Sequence, residues 1–103
     1  MKDTLEIKWP WEMVWSEFVG DIIVQIKEAL PPDHELQLHD LYPGIKWSKR
    51  PVFIIYDDTT GEYLLVNFEK GRPVETTNFY VPSITVLNDR EEVAAIIERD
   101  HAR

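Results

Sequence analysis

Cysteine is absent from these 103 residues, so neither a disulfide framework, nor a thiol nucleophile, nor a Cys-bearing zinc site can exist. Stability must come from packing. Glycine is scarce, and Gly44, Gly61 and Gly71 stand isolated, so there is no glycine-rich loop to cradle a phosphate. No segment approaches the ~18 uncharged apolar residues of a membrane span, and Met1, Lys2, Asp3 and Thr4 lead into Glu6 and Lys8 rather than into a signal-peptide core. The expectation is a cytoplasmic protein with no membrane partner. Basic charge is in the minority: 11 Lys and Arg face 19 Asp and Glu, for a formal net charge of −8. Such a surface repels phosphate backbones, and no nucleic-acid partner is expected. Lys46, Lys49 and Arg50 form one small group and Lys70 and Arg72 another; both read as solvated turn residues.

What is present in quantity is apolar and aromatic. With 44% hydrophobic and 29% charged residues, the composition is that of an ordinary globular chain, and residues 1–103 are expected to form a single domain that buries roughly two thirds of its unfolded surface. The centre of the chain is its clearest part. Val52, Phe53, Ile54, Ile55 and Tyr56 run into Asp57, Asp58, Thr59, Thr60 and Gly61, and Tyr63, Leu64, Leu65, Val66 and Phe68 follow. This is a β-hairpin: Asp can bond back to the turn backbone, and Gly takes positive φ without penalty. Its strands do not alternate apolar with polar, so both faces need cover. A type I turn with a bulge would align Val52, Ile54 and Tyr56 with Leu64, Val66 and Phe68, leaving Phe53, Ile55, Tyr63 and Leu65 on the reverse face.

Around the hairpin, Thr4 to Trp9 alternates as a short strand. Pro10 suits the first turn of a helix running to about Leu30, where Pro31 and Pro32 stop it. Trp11, Trp15, Phe18, Val19, Ile22, Ile26, Ala29 and Leu30 would form its apolar stripe, with Glu17, Asp21 and Glu28 as an acidic ridge opposite. Glu35 to Leu41 reads as a further strand, Tyr42 to Arg50 as an irregular apolar loop, and Val74 to Val81 as an edge strand bracketed by Pro73 and Pro82. Ser83 to Leu87 is a short β-leaning run. Asn88 or Asp89 caps a last helix, with Glu91 or Glu92 completing a capping box. The result is an α+β fold of order β-α-β-β-β-β-α, an antiparallel sheet of four to five strands with two helices mainly on one face.

No catalytic constellation emerges. His34 and His39, five apart on a strand, would fall on opposite faces, with no third ligand to make a metal site. Ser48-Lys49 lacks the context of a catalytic dyad, and Asp57 and Asp58 are turn formers. No cofactor is implied. Two helices can roof one face of such a sheet, so the reverse face would meet either the 42–50 loop and the amino-terminal strand or another molecule. The leading expectation is a non-enzymatic, acidic protein-binding module. It would self-associate as a homodimer or dock a protein partner, one of basic character included, through Phe53, Ile55, Tyr63, Leu65 and Trp47, steered by Glu17, Asp21 and Glu28. In size, acidity and lack of cysteine the chain is similar to small bacterial immunity proteins and antitoxin-like inhibitors, a similarity of composition that carries no motif. The alternatives are a small enzyme or ligand-binding domain with a pocket between sheet and loop, lined by Tyr42, Trp47, Tyr63 and Asp57, and a structural subunit of a larger assembly.

Overall fold

The central hairpin forms where its residues demand it, and the length of its loop sets the rest of the molecule. In a computed structural model describing residues 7–75 and 77–102, strands β3 (Val52–Asp57) and β4 (Glu62–Pro73) pair antiparallel, with Asp57 opposite Glu62. Gly61 takes φ +77° and its N–H donates to the Asp57 carbonyl at 2.8 Å. The left-handed glycine is as expected. The loop, however, is four residues long, Asp58 to Gly61, rather than the three of a type I turn with a bulge. One residue more in the loop inverts the pairing of faces. Ile54 therefore stands opposite Leu65 and Tyr56 opposite Tyr63, while Phe53 faces Val66 and Ile55 faces Leu64.

The full sheet has five antiparallel strands in chain order, β1 (Trp11–Met13), β2 (Leu41–Trp47), β3, β4 and β5 (Tyr80–Leu87). Helix α1 (Ser16–Ala29) follows β1 and α2 (Arg90–His101) ends the chain, so the expected class and element order stand. Several boundaries differ. Thr4 to Glu6 lie outside the described residues, and Ile7 to Trp9 are not strand. The Trp9–Pro10 peptide is cis, and Pro10 starts no helix: Trp11 to Met13 pair with Ile45 to Trp47 instead, because the Trp11 ring is buried between strand and α2. Glu35–Leu38 is a 3-10 turn rather than a strand. Local side-chain bonds hold it there, with His34 Nδ1 accepting from the Leu36 N–H and the Gln37 amide donating to the carbonyls of Lys27, Leu30 and Pro31. These carbonyls end α1, and Gln37 satisfies them where Pro31 cannot.

The stretch expected as the 42–50 loop is mostly β2. Pro43 and Gly44 sit in a register irregularity between Tyr42 and Ile45, a bulge that tolerates the missing proline N–H. Val74 and Phe79 flank the link between β4 and β5, the Val74 N–H donating to the Phe79 carbonyl at 3.0 Å, and β5 runs through Pro82 as one strand.

The inverted hairpin parity has a direct packing result. Phe53, Ile55, Leu64 and Val66 form one core with Ile26, Leu30, Leu36 and Leu41, against which Ile22 packs from α1. Val52, Ile54, Leu87 and Ile45 form a second with Trp11 and with Val93 and Ile97 of α2. The helices thus lie on opposite faces of the sheet, α1 on one and α2 on the other, and the expected placement mainly on one face is corrected. Asp89 caps α2 by accepting from the Glu92 N–H at 3.0 Å, and the Asn88 amide donates to the Glu92 carboxylate. Of the two expected caps Asp89 is the one used, and Glu92 reaches back to the Asn88 side-chain amide. Among the described residues no helix is long and apolar enough to cross a membrane.

Candidate functional site

One helix cannot roof a whole sheet face. A helix of α2's length spans ~18 Å, and five strands at ~4.8 Å spacing are ~19 Å wide before side chains are counted. Helix α2 leaves the end of β5 beside the hairpin turn and packs through Val93 and Ile97 toward Trp11 of β1, so it crosses the face obliquely. The corner it misses is the turn-proximal part of β2 and β3, where the parity that buries Ile54 also brings out Tyr56, Tyr63 and Tyr42. A groove of about 530 Å³ occupies this corner, floored by Ile45 and Ile54 and walled by Met13, Trp15, Tyr42, Tyr56 and Tyr63. Its lining is mostly apolar.

Each wall has a local cause. Tyr56 and Tyr63 are cross-strand partners whose rings pack at 5.1 Å between centroids. Gly44 leaves room for the Tyr42 ring, which a Cβ there would meet at 2.9 Å and push aside. Val14 donates its N–H to the Gly44 carbonyl at 2.8 Å, which ties the link between β1 and α1 to the bulge. Trp15 is the residue preceding α1, with extended backbone, and is 65% exposed. Met13 and Trp15 also border a second groove on the other side, lined by Glu12, Phe18, Asp21, Ile22 and Lys46. Met13, Trp15 and Phe18 thus make an apolar ridge between two grooves, with Tyr42 beyond it; Met13, Phe18 and Tyr42 are each more than half exposed. Exposed Glu12, Glu17 and Asp21 stand along the ridge.

The expected site residues are divided by the fold. Phe53 and Ile55 are buried beneath α1 in the first core and offer no docking surface. Tyr63 lines the groove on the opposite face, while Leu65 packs toward α2. Trp47 is already partnered: it meets Trp11 edge-on at 5.1 Å, and the Arg50 guanidinium lies 5.0 Å above its ring. Glu17 and Asp21 flank the ridge, but Glu28 sits ~10 Å beyond Asp21 along the α1 axis, away from it. The alternative pocket between sheet and loop does not form, because β2 belongs to the sheet. Of its four residues Tyr42 and Tyr63 converge, Trp47 lies at the far end, and Asp57 points to the other face.

His39 and Asp57 were read separately from sequence and meet in the fold. The Asp57 carboxylate, 1% exposed, lies 2.6 Å from His39 Nδ1 and also accepts from the Thr59 and Thr60 N–H groups. The bonds from Thr59 and Thr60 close the hairpin turn on itself, and the His39 contact ties that turn to the segment before β2. A small cleft at the far end of the α2 face gathers Arg50, Lys70 and Arg99, cations that are scattered in sequence. Arg50 bonds to Glu69, which holds the Glu69 carboxyl below the usual carboxylate range and raises Arg50. Arg99 bonds to Asp100. With two cations neutralised by carboxylates, the cleft is no strong anion trap.

Compared with family models, curated proteins and solved structures, the chain matches none.

Proposed function

We propose that this chain is a non-enzymatic protein-binding module whose docking surface is the aromatic groove at the hairpin corner together with the Met13, Trp15 and Phe18 ridge. The observation that carries this reading is the exposure of large apolar side chains on one contiguous surface, next to a groove walled by three tyrosines. Scattered single apolar residues need no explanation, but a contiguous patch rimmed by charge is characteristic of an interaction site. Tyrosine and tryptophan are also the side chains that most often anchor interfaces. The partner this surface fits is a protein segment with aromatic or aliphatic side chains for the groove and Lys or Arg beside them for Glu12, Glu17 and Asp21, in keeping with the net charge of −8.

Panning a phage-displayed library of random peptides on the purified protein tests this. Enriched peptides should combine apolar anchors with basic residues, and Trp15→Ala and Tyr42→Ala should each weaken capture at least ~10-fold. Reversing Glu17 and Asp21 should slow capture at low salt and have little effect at high salt. Failure to enrich any sequence, or enrichment indifferent to Trp15 and Tyr42, overturns the reading.

A further inference from the structure

The two edges of the sheet are protected very differently. At one edge, β1 has only three residues, carries Glu12 at its centre, and is flanked by Pro10 and the entry to α1. Short length, charge and proline are the usual defences against edge-to-edge pairing. The other edge is β5, eight residues with no neighbouring strand beyond it among the described residues. From Phe79 to Leu87 there is no charged side chain, although 29% of the chain is charged. Pro82 blunts only its first half. Ser83, Ile84, Thr85, Val86 and Leu87 form a run with three consecutive β-branched residues, and no hydrogen bond from a described residue outside the sheet reaches their backbone.

We infer that β5 is a homodimer interface, on which two copies of this chain pair antiparallel so that their sheets join into one. Three observations select a second copy as the occupant. The edge is neutral in a molecule of net charge −8, so it is where two like-charged copies can approach with least repulsion. It is also self-complementary. Pairing about a two-fold axis at Thr85 sets Thr85 against its own symmetry mate, Ile84 against Val86 and Ser83 against Leu87 of the other copy, so that the cross-strand partners are all neutral and the central ones β-branched. The third observation is the uncovered surface beside the edge. Val86 is 49% exposed on the α1 face, opposite Leu64, and Phe68 and Tyr80 border an open groove between α1 and the β4–β5 ribbon. The pairing brings Ile84 and Val86 of both copies together on that face, between the two α1 helices, and removes them from water. This inference does not rest on the aromatic groove, which lies on the other face and at the other side of the sheet.

The test is sedimentation velocity of the wild-type chain from ~1 µM to ~1 mM. The mass should rise with concentration from that of one chain to that of two. Thr85 is exposed, so Thr85→Lys and Thr85→Asp keep the fold while placing like charges face to face at the axis; each variant alone should dimerise at least ~10-fold more weakly than wild type. Mixing the two should restore a heterodimer. Hydrogen exchange on the wild type gives an independent reading: amides of Ser83 to Leu87 should gain protection with concentration. A chain that stays monomeric throughout, a dimer that Thr85→Lys leaves intact, or protection of these amides only on adding an unrelated extended peptide would overturn the inference. Trp15→Ala should leave the mass unchanged, which separates this outcome from that of groove binding.

Discussion

The α2 face of the sheet is built from the same three central strands at both of its ends, yet one end is sealed and the other is open. At the sealed end Trp11 is buried, meets Trp47 edge-on and donates its indole N–H to the buried Asp100 carboxylate at 2.9 Å. Val93 and Ile97, both fully buried, close over Val52 and Leu65. The His101 ring and the Trp9 carbonyl, 2.8 Å apart, and the Lys8–Glu98 pair fasten the segment before β1 to the end of α2. At the open end Tyr42, Tyr56 and Tyr63 stand over Ile45 and Ile54, with Ile7 at the border of the groove and, among the described residues, no helix laid across them. Apolar composition does not distinguish the ends. What differs is the oblique path of one helix, and that path is anchored by the buried bond between Trp11 and Asp100 together with the His101–Trp9 and Lys8–Glu98 contacts. The sealed end is held by packing and polar contacts, while the open end leaves Tyr42 half-exposed.

The contrast is broken most severely by emptying the sealed end. Ile97→Ala removes a side chain with no exposed surface and should cost about 2–5 kcal/mol, the range for aliphatic truncation in a core that cannot collapse. The urea midpoint should fall accordingly, with the slope unchanged. A smaller loss would mean that α2 is loosely seated. Next in size is Trp11→Phe, which keeps an aromatic ring against Trp47 but deletes the donor to Asp100. A buried carboxylate then loses a bond, at a cost of about 1–3 kcal/mol. Combining Trp11→Phe with Asp100→Asn in a double-mutant cycle should recover part of this as a coupling energy; strictly additive losses would show that the indole acts by packing alone.

How much of this was legible beforehand varies by residue, for physical reasons. The hairpin and the α2 cap were readable because their signals are local: Asp57, Thr59, Thr60 and Gly61 determine a turn through their own backbone bonds, and Asp89 with Glu92 determines a helix start. The faces were not, since a loop of three residues and a loop of four carry the same Asp, Thr and Gly while giving opposite parity. That one residue moved Phe53 and Ile55 from the expected docking face into the core beneath α1. Trp11 and Trp15 fit a helical stripe by spacing, yet Trp11 is held in β1 by its contacts with Trp47 and Asp100, which lie dozens of residues away. Removing it from the helix is what leaves Trp15 at the helix entrance and exposed. Tyr42 and Tyr63 were recognised as possible pocket residues; Met13, Trp15 and Tyr56 were missed because the groove exists only where the oblique α2 fails to reach.

The smallest effect is also the sharpest comparison with Ile97. Tyr42 is 51% exposed, sits on the same face, and is a larger side chain, so a ledger by residue size alone would rank it as the more costly to remove. Because its ring borders open groove rather than packed neighbours, Tyr42→Ala should change stability by no more than about 0.5 kcal/mol, the usual span for surface sites. Urea unfolding of this variant beside Ile97→Ala is the deciding measurement. A loss approaching that of Ile97→Ala would mean that Tyr42 is covered in solution, and the groove would then be part of the core and unavailable to any partner. Near-neutral stability, with the hairpin intact, leaves a tyrosine kept exposed over apolar ground for which folding has no use.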